Sequence, residues 1–568
     1  MSRPVSLEAD VGKILWAVSA ALFCCLCGLW ALRAFINLPP GPWGLPVVGY
    51  LPWLNPRTPH LTMVRLVERY GRLFSLRMGG VLVVVMADPH TIREVLAQRS
   101  TTGRAPLFLT HGIMKGYGLI CSEGDLWREH RKFVLGFMRD HGMRTTATRA
   151  AMEPQIHAVA THLTQELAES RGTPVDISHH LLHHVGNTMN HLIFGITYRE
   201  EDPKWRWLRL LLEEGTKLVG VSGPLNFLPW LRFLPTYRSV IKFITENQSK
   251  THQEYQSIIT DHEKRISSGV SVESPPDAPE AERGAPEVAL SRTQEEEEEP
   301  CQEVPDGDEA SGARLAEDQS GEMVSSSKVP LHIVDAYVRE RRERGEEEPG
   351  SFTYEQLHHV AADLFGAGSE TTITTFKWHL LNMALFPEAQ ERVQKELQEC
   401  QPAGGAEVTM EDAHLLPYTQ ASILETQRLR SILPLGIPHG TTQELTIDGY
   451  RIPKGTMLLP LLWQVHHDPD TWSNPDQYRP ERFLDQEGQV IRHPAFMPFQ
   501  TGRRMCIGDE FAKMILFVFT TKILLRFKVD LEPGVKDDPS KDPVCGISLC
   551  PRPFKLVFTP RVSQADEN

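Results

Sequence analysis

The sequence predicts a mainly α-helical protein with small β-sheets, arranged as a single large domain behind an N-terminal transmembrane anchor. Three observations carry this. From Thr353 to Phe386 the chain runs about 33 residues without proline, which as an α-helix would span roughly 50 Å and cross a whole domain. Between about Thr145 and Glu263 it reads as successive amphipathic helices broken by Pro174, Pro203, Pro224, Pro229 and Pro235. Strand-like composition is confined to short runs, of which Phe74 to Met78 and Val81 to Met86 flank Gly79-Gly80 as a hairpin would.

A chain of 568 residues fits either several domains or one large core. Its net charge of −14 says little about partners, because residues 269–329 alone hold 17 acidic and 4 basic residues and the remainder is almost neutral. That segment is rich in Pro, Ser, Glu and Gly, contains the run Glu295 to Glu299 and lacks aromatics, so it cannot bury enough apolar area to fold. It is expected to be a disordered surface insertion. A charge run is usually just solvated, and a regulatory or partner-binding role stays open. Of the nine cysteines, Cys24, Cys25 and Cys27 lie together in an apolar run and the other six are scattered, with no obvious disulfide framework, which suits a reducing compartment.

Taken in order, Ile14 to Leu32 is about 19 uncharged residues between Lys13 and Arg33, long enough for a membrane-spanning helix. A cleaved signal peptide is the competing reading, though its apolar part is normally shorter. Residues 1–37 are assigned to an anchor, 38–46 to a hinge stiffened by the prolines of L-P-P-G-P-W-G-L-P, 47–560 to the catalytic domain and 561–568 to a tail. Pro89 to Gln98 looks helical, and Thr101 to Ile120 is a Gly-containing apolar loop. In the next helical pattern Trp127 and Arg131 share one face, a spacing that equally describes a surface cation–π pair.

His332 to Arg342 restarts helix, and Thr353 with Gln356 makes a capping-box pattern at the head of the long helix. In its middle Gly366 and Gly368 weaken the helix beside Glu370 and Thr371, a carboxylate and a hydroxyl suited to proton delivery. A Thr that back-bonds to the carbonyl four residues earlier is the plain alternative. Pro417 can start the following helix, in which Glu425 and Arg428 face one way. Asp448-Gly449 and Val544 to Leu549 read as turns.

Phe499 to Gly508 reads F-Q-T-G-R-R-M-C-I-G and sets Cys506 just before the apolar helical run Asp509 to Phe519. A tight loop opening onto a helix N-terminus offers N–H groups that stabilise a thiolate, and Gly502 and Gly508 permit such a loop. Cys506 is therefore expected to ligate iron, although an apolar-flanked cysteine standing alone reads as core.

The pattern F-x-x-G-x-R-x-C-x-G resembles the cysteine loop of the cytochrome P-450 haem-thiolate monooxygenases, and W-x-x-x-R, A-G-x-E-T-T, E-x-x-R and P-E-R-F precede it in that family's order. The resemblance covers about residues 38–560, with the acidic insertion as the main departure. It implies the cytochrome P-450 fold and haem b (iron protoporphyrin IX) held by Cys506. Trp127, Arg131, Arg504 and, more loosely, His439 would meet the propionates. Thr371 and Glu370 would manage protons during O–O cleavage, which a thiolate ligand favours by donating electron density. Glu425 and Arg428 would bond Arg482 and brace the cysteine loop, while Thr101 to Ile120 would roof the substrate pocket.

No G-x-G-x-x-G fingerprint lies in a βαβ setting, so electrons are expected from NADPH through a separate flavoprotein reductase. Arg128, Lys132, Arg139, Arg503 and Lys513 would offer it a docking face, or form ordinary solvated surface. In microsomal members the domain faces the cytosol from the endoplasmic reticulum membrane. The hinge with the following V-V-G-Y, the stretch Pro434 to Thr442 and M-P-F-Q-T-G-R-R-M-C look most like arthropod ecdysteroid side-chain hydroxylases, nearest the Phantom type that hydroxylates carbon 25 of ecdysone precursors. Hydroxylation at carbon 26, which inactivates the hormone, and a xenobiotic monooxygenase are the alternatives. A non-catalytic haem sensor or electron carrier would need no proton relay. No nucleic-acid partner is expected.

Overall fold

The computed structural model describes residues 37–143, 152–218, 223–267, 332–345, 349–400 and 407–561, with a few helical positions between 13 and 28. The insertion expected at 269–329, the tail after 561 and most of the expected anchor lie outside the described residues. Among the described residues no helix is long and apolar enough to cross a membrane.

Helices α1 (Pro59–Tyr70) and α2 (Pro89–Ala97) flank the predicted hairpin, β1 (Leu73–Met78) and β2 (Val81–Met86). There follow α3 (Gly124–Asp140), α4 (Glu153–Glu169), α5 (Ile177–Phe194), α6 (Pro203–Leu218), α7 (Pro235–Ser267), α8 (Ile333–Arg344), α9 (Tyr354–Leu385), α10 (Pro387–Glu399) and α11 (Pro417–Arg430). The C-terminal part holds β3 (His439–Gly440), β4 (Leu445–Ile447), β5 (Tyr450–Ile452), β6 (Met457–Pro460), α12 (Leu462–His467), α13 (Asp509–Arg526), β7 (Phe527–Leu531), β8 (Val544–Cys545), β9 (Leu549–Cys550) and β10 (Leu556–Pro560). Strands this short build only small sheets. The largest runs β1-β2-β6-β3, antiparallel except where β2 and β6 pair in parallel with Val83 opposite Met457. The proline hinge packs as part of this sheet's edge, since Ser75 N and Oγ donate to the carbonyls of Pro40 and Pro39, each at 2.7 Å.

The axis of the fold is α9. Thr353 caps it by accepting from Gln356 N at 3.2 Å. The Gln356 side chain leaves the expected capping box and bonds both backbone groups of Gly118, at 2.9 and 3.2 Å. Apolar on nearly every side, α9 is buried against α5, α11 and α13, as an all-round hydrophobic helix must be. It runs unbroken through Gly366 and Gly368. Gly368 serves packing instead, because a Cβ there would lie 2.7 Å from Met189 Cε on α5.

The predicted brace forms between α11 and the P-E-R-F turn, Pro480–Phe483. Arg428 donates to both oxygens of Glu425, at 2.6 and 2.8 Å, and both side chains are fully buried. Arg482 Nε reaches Glu425 Oε1 at 3.2 Å. Glu425→Gln would keep the shape and leave Arg428 buried without its counter-charge, a loss that costs about 3–5 kcal/mol. We expect a large fall in thermal midpoint, and an unchanged midpoint would contradict the brace.

Candidate active site

The cysteine loop follows from local sterics. Gly502 has φ +77°, and a Cβ there would stand 2.2 Å from Leu96 O, so the turn demands glycine. Gly508 caps α13 at φ −104° with open space beside it, so it permits the loop without being demanded by the backbone. Cys506 N donates to Phe499 O at 3.0 Å and closes the loop. Cys506 is open to solvent on one side. Protein atoms crowd the sulfur on the other, so desolvation raises its thiol, and the Gly508 N–H works in the opposite direction.

His466, which sequence reasoning missed, joins the brace to this loop. Its carbonyl accepts from Arg428 Nη1 at 2.7 Å, and its Nε2 accepts from Met497 N at 3.1 Å. The ring proton is then on Nδ1, which meets Ser431 Oγ at 2.7 Å. On the other flank Arg131 Nη2 donates to Met505 O at 2.7 Å.

Beside the loop, cations gather. Trp127 is buried rather than on the surface, with the Arg504 guanidinium 4.4 Å and the Arg131 guanidinium 5.8 Å from its ring. Arg504 donates from Nε to Thr102 O at 2.6 Å and from Nη2 to Ser122 O. A third arginine, Arg104, donates to Ile120 O at 2.6 Å and Pro438 O at 2.9 Å. Burial, then mutual repulsion, holds Arg504 down to about 8. Burial brings Arg104 to about 10. His439 is buried next to them on β3. Its Nδ1 donates to Thr101 O at 2.9 Å, while Nε2 has no partner. Burial, then Arg104, lowers His439 to about 3. Desolvated cations around an unpartnered imidazole nitrogen suit entering carboxylates, which would relieve the repulsion and raise His439 toward its donating form. The two propionates of a haem are such groups.

Elsewhere the expected residues find distinct partners. Thr371 Oγ1 donates to Ala367 O at 2.7 Å, the back-bond to the carbonyl four residues earlier that is the plain alternative for this side chain. Glu370 Oε1 accepts from Ser548 Oγ at 2.7 Å, so the turn between β8 and β9 reaches the middle of α9. Trp378 Nε1 seals that contact on Leu549 O at 2.7 Å. Of the basic residues, Arg128 pairs with Asp125, Lys513 with Asp509 and Glu510, and Arg503 Nε donates to Ala97 O at 2.8 Å.

Asp363 on α9 was also missed. Its Oδ2 accepts from Leu119 N at 2.7 Å and Ile120 N at 2.8 Å. The strap around Leu119 thus turns its amides to Asp363 and its carbonyls to the arginines. Burial raises Asp363 from 3.8 to about 6, against the pull of those amides. With the folded value above the unfolded one, the folded state holds more protons between the two, so this group's contribution to stability falls as pH rises from about 4 to about 6. Asp363→Asn keeps the acceptor and removes the titration. The thermal midpoint of the natural protein relative to this variant should therefore drop between about pH 4 and about pH 6. A difference independent of pH would contradict the assignment.

Comparisons agree with this geometry. The cytochrome P450 family model matches residues 39–558. Cytochrome P450 306a1 of Drosophila melanogaster is 38% identical over 527 residues, covering 92% of this chain and 88% of that protein. Cytochrome P450 18a1 of the same organism is 32% identical over 533 residues, covering 93% and 88%. Human cytochrome P450 2J2 is 31% identical over 536 residues, covering 93% and 92%. Matches that span the brace, the cysteine loop and the cation cluster together place the chain in the cytochrome P450 family of haem-dependent monooxygenases, to which it belongs.

Proposed function

We propose that this monooxygenase hydroxylates carbon 25 of an ecdysone precursor. It would work at the endoplasmic reticulum membrane, held by a single-pass N-terminal anchor, with its catalytic domain in the cytosol and electrons from NADPH through a flavoprotein reductase. The braced cysteine loop beside a carboxylate-seeking cation cluster carries the chemical part of this reading. The substrate part rests on the likeness of the hinge, Pro434 to Thr442 and the cysteine loop to arthropod ecdysteroid side-chain hydroxylases.

When bound, a haem with a thiolate ligand supplies dioxygen activation and insertion of one oxygen atom into a C–H bond. Cys506 would hold its iron, and Arg104, Arg131, Arg504 and His439 its propionates, with Trp127 against the Arg504 and Arg131 guanidiniums. Thr371, fixed by its bond to Ala367 O, presents Oγ1 as an acceptor for an incoming proton donor. Glu370 supplies the adjacent acid and at the same time anchors the β8–β9 turn through Ser548.

A lipophilic substrate arriving from a bilayer fits the surface as well. Trp43 in the hinge and Val47 and Trp53 after it are exposed, and Trp230 and Phe233 are exposed after α6. Leu54, next to the first set, shares a core cluster with Phe227, Leu228 and Leu231 beside the second. Exposed tryptophans beside exposed apolar side chains favour a membrane interface.

The test incubates the membrane-expressed protein with reductase, NADPH and a precursor lacking hydroxyls at carbons 22 and 25, then locates the added oxygen by fragmentation mass spectrometry. Oxygen at carbon 25 is expected. Oxygen at carbon 26 would assign hormone inactivation instead, and no product despite an intact haem-thiolate spectrum would remove the steroid assignment. In the same assay Thr371→Ala should uncouple NADPH consumption from product and release peroxide; unchanged coupling would exclude its relay role.

A further inference from the structure

Away from the active site, histidines collect where α7 meets the head of α9. His252 on α7 and Glu355 and His358 on α9 each bring one ligand atom within 4.8 Å of the others. Glu355 and His358 stand three apart, so one helix face presents both. His358 is 7% exposed, and its Nε2 lies 3.0 Å from Gln256 Oε1, an acceptor. The ring proton is therefore on Nε2, and Nδ1 carries a lone pair. That Nδ1 is buried and has no hydrogen-bond partner. A histidine whose outer nitrogen is held by an oxygen acceptor while the other nitrogen is left bare has the arrangement of a metal ligand and its supporting contact.

We propose that His252, Glu355 and His358 bind one divalent zinc-class ion, with His358 Nδ1 as the buried ligand and water completing a tetrahedron. Two imidazoles and a carboxylate suit such an ion. Ligands at about 2.1 Å from a tetrahedral ion lie about 3.4 Å apart, so the cluster must contract modestly. Glu355 is exposed and His252 half-buried, and rotation of these two side chains supplies that contraction. Burial lowers all three local histidines, His358 and His359 to about 4. The charged groups facing His252 are Glu355 and Lys115, of opposite sign.

The site would clip α7 to the first turns of α9. Its neighbours reach the strap: Tyr117 stacks on His359 with ring centres 5.4 Å apart, and Gln356, next to Glu355, holds Gly118. An ion here would thus stiffen the helix crossing and the loop whose carbonyls hold Arg504.

The experiment treats the untagged, haem-loaded protein with a chelator, adds zinc chloride, removes free ion by gel filtration, and measures zinc per chain with the thermal midpoint. One retained zinc and a raised midpoint are expected. His252→Ala and Glu355→Gln should each lower zinc affinity about tenfold or more, and Gln256→Leu by about 10–100-fold through loss of the tautomer-fixing bond. His179→Ala, in the separate histidine-rich stretch of α5, should retain the ion. Midpoints in chelator confirm that each variant is folded. Zinc retained equally by His252→Ala and Glu355→Gln, lost in His179→Ala, or not retained by the natural protein would each overturn the proposal.

Discussion

The buried ion pair of Glu425 and Arg428 is the constraint on which the rest depends. Neither side chain has any exposed surface, so each has lost its hydration and the pair is tolerable only because every charged edge is matched. Glu425 Oε1 also accepts from Arg479 N at 3.0 Å and from Arg482, while Arg428 donates to the carbonyls of His466 and Pro475. An interaction this demanding fixes the relative positions of α11, α12 and the P-E-R-F turn. Through His466 and Met497 it also fixes the start of the cysteine loop. The loop is rigid because it is held at both flanks, by His466 before the cysteine and Arg131 beside it.

A second layer depends on the first. Arg504 belongs to the cysteine loop, yet its guanidinium is spent on carbonyls of the strap, so loop and strap position one another. The strap is in turn held by Gln356 and Asp363 at the head of α9. The long helix therefore does two things from one rigid axis: its first turns order the cation cluster, and its middle presents Thr371 and Glu370. Its continuity through Gly366 and Gly368 matters here, since a broken helix would let these two functions drift apart.

Much of this was legible, and the reason is spacing. Trp127 with Arg131, Glu425 with Arg428, and Gly502, Arg504 and Cys506 are close in sequence, so helical or turn geometry alone sets which of them share a face. Helix α9, the first hairpin and the turn at Asp448-Gly449 were readable for the same reason. The groups that escaped have partners far along the chain. Arg104 is defined by Pro438, Asp363 by Leu119, His466 by Met497 and Ser431, and no local pattern marks them. Which of the two loop glycines is indispensable was not readable either, because the strained position is Gly502, pressed against Leu96 from a remote helix. Gln356 looked like one half of a capping box, but tertiary contact with Gly118 drew its side chain away.

The central claim is that Cys506, held in the braced loop, is the iron's thiolate ligand. It is tested most directly by the carbonyl complex of the reduced protein, comparing the natural chain with Cys506→Ser in preparations of matched haem content. The natural chain should give the red-shifted Soret band of a thiolate-ligated ferrous carbonyl, and Cys506→Ser should lose it. Retention of that band without Cys506 would mean that another residue holds the iron, and the account built on the loop would be wrong.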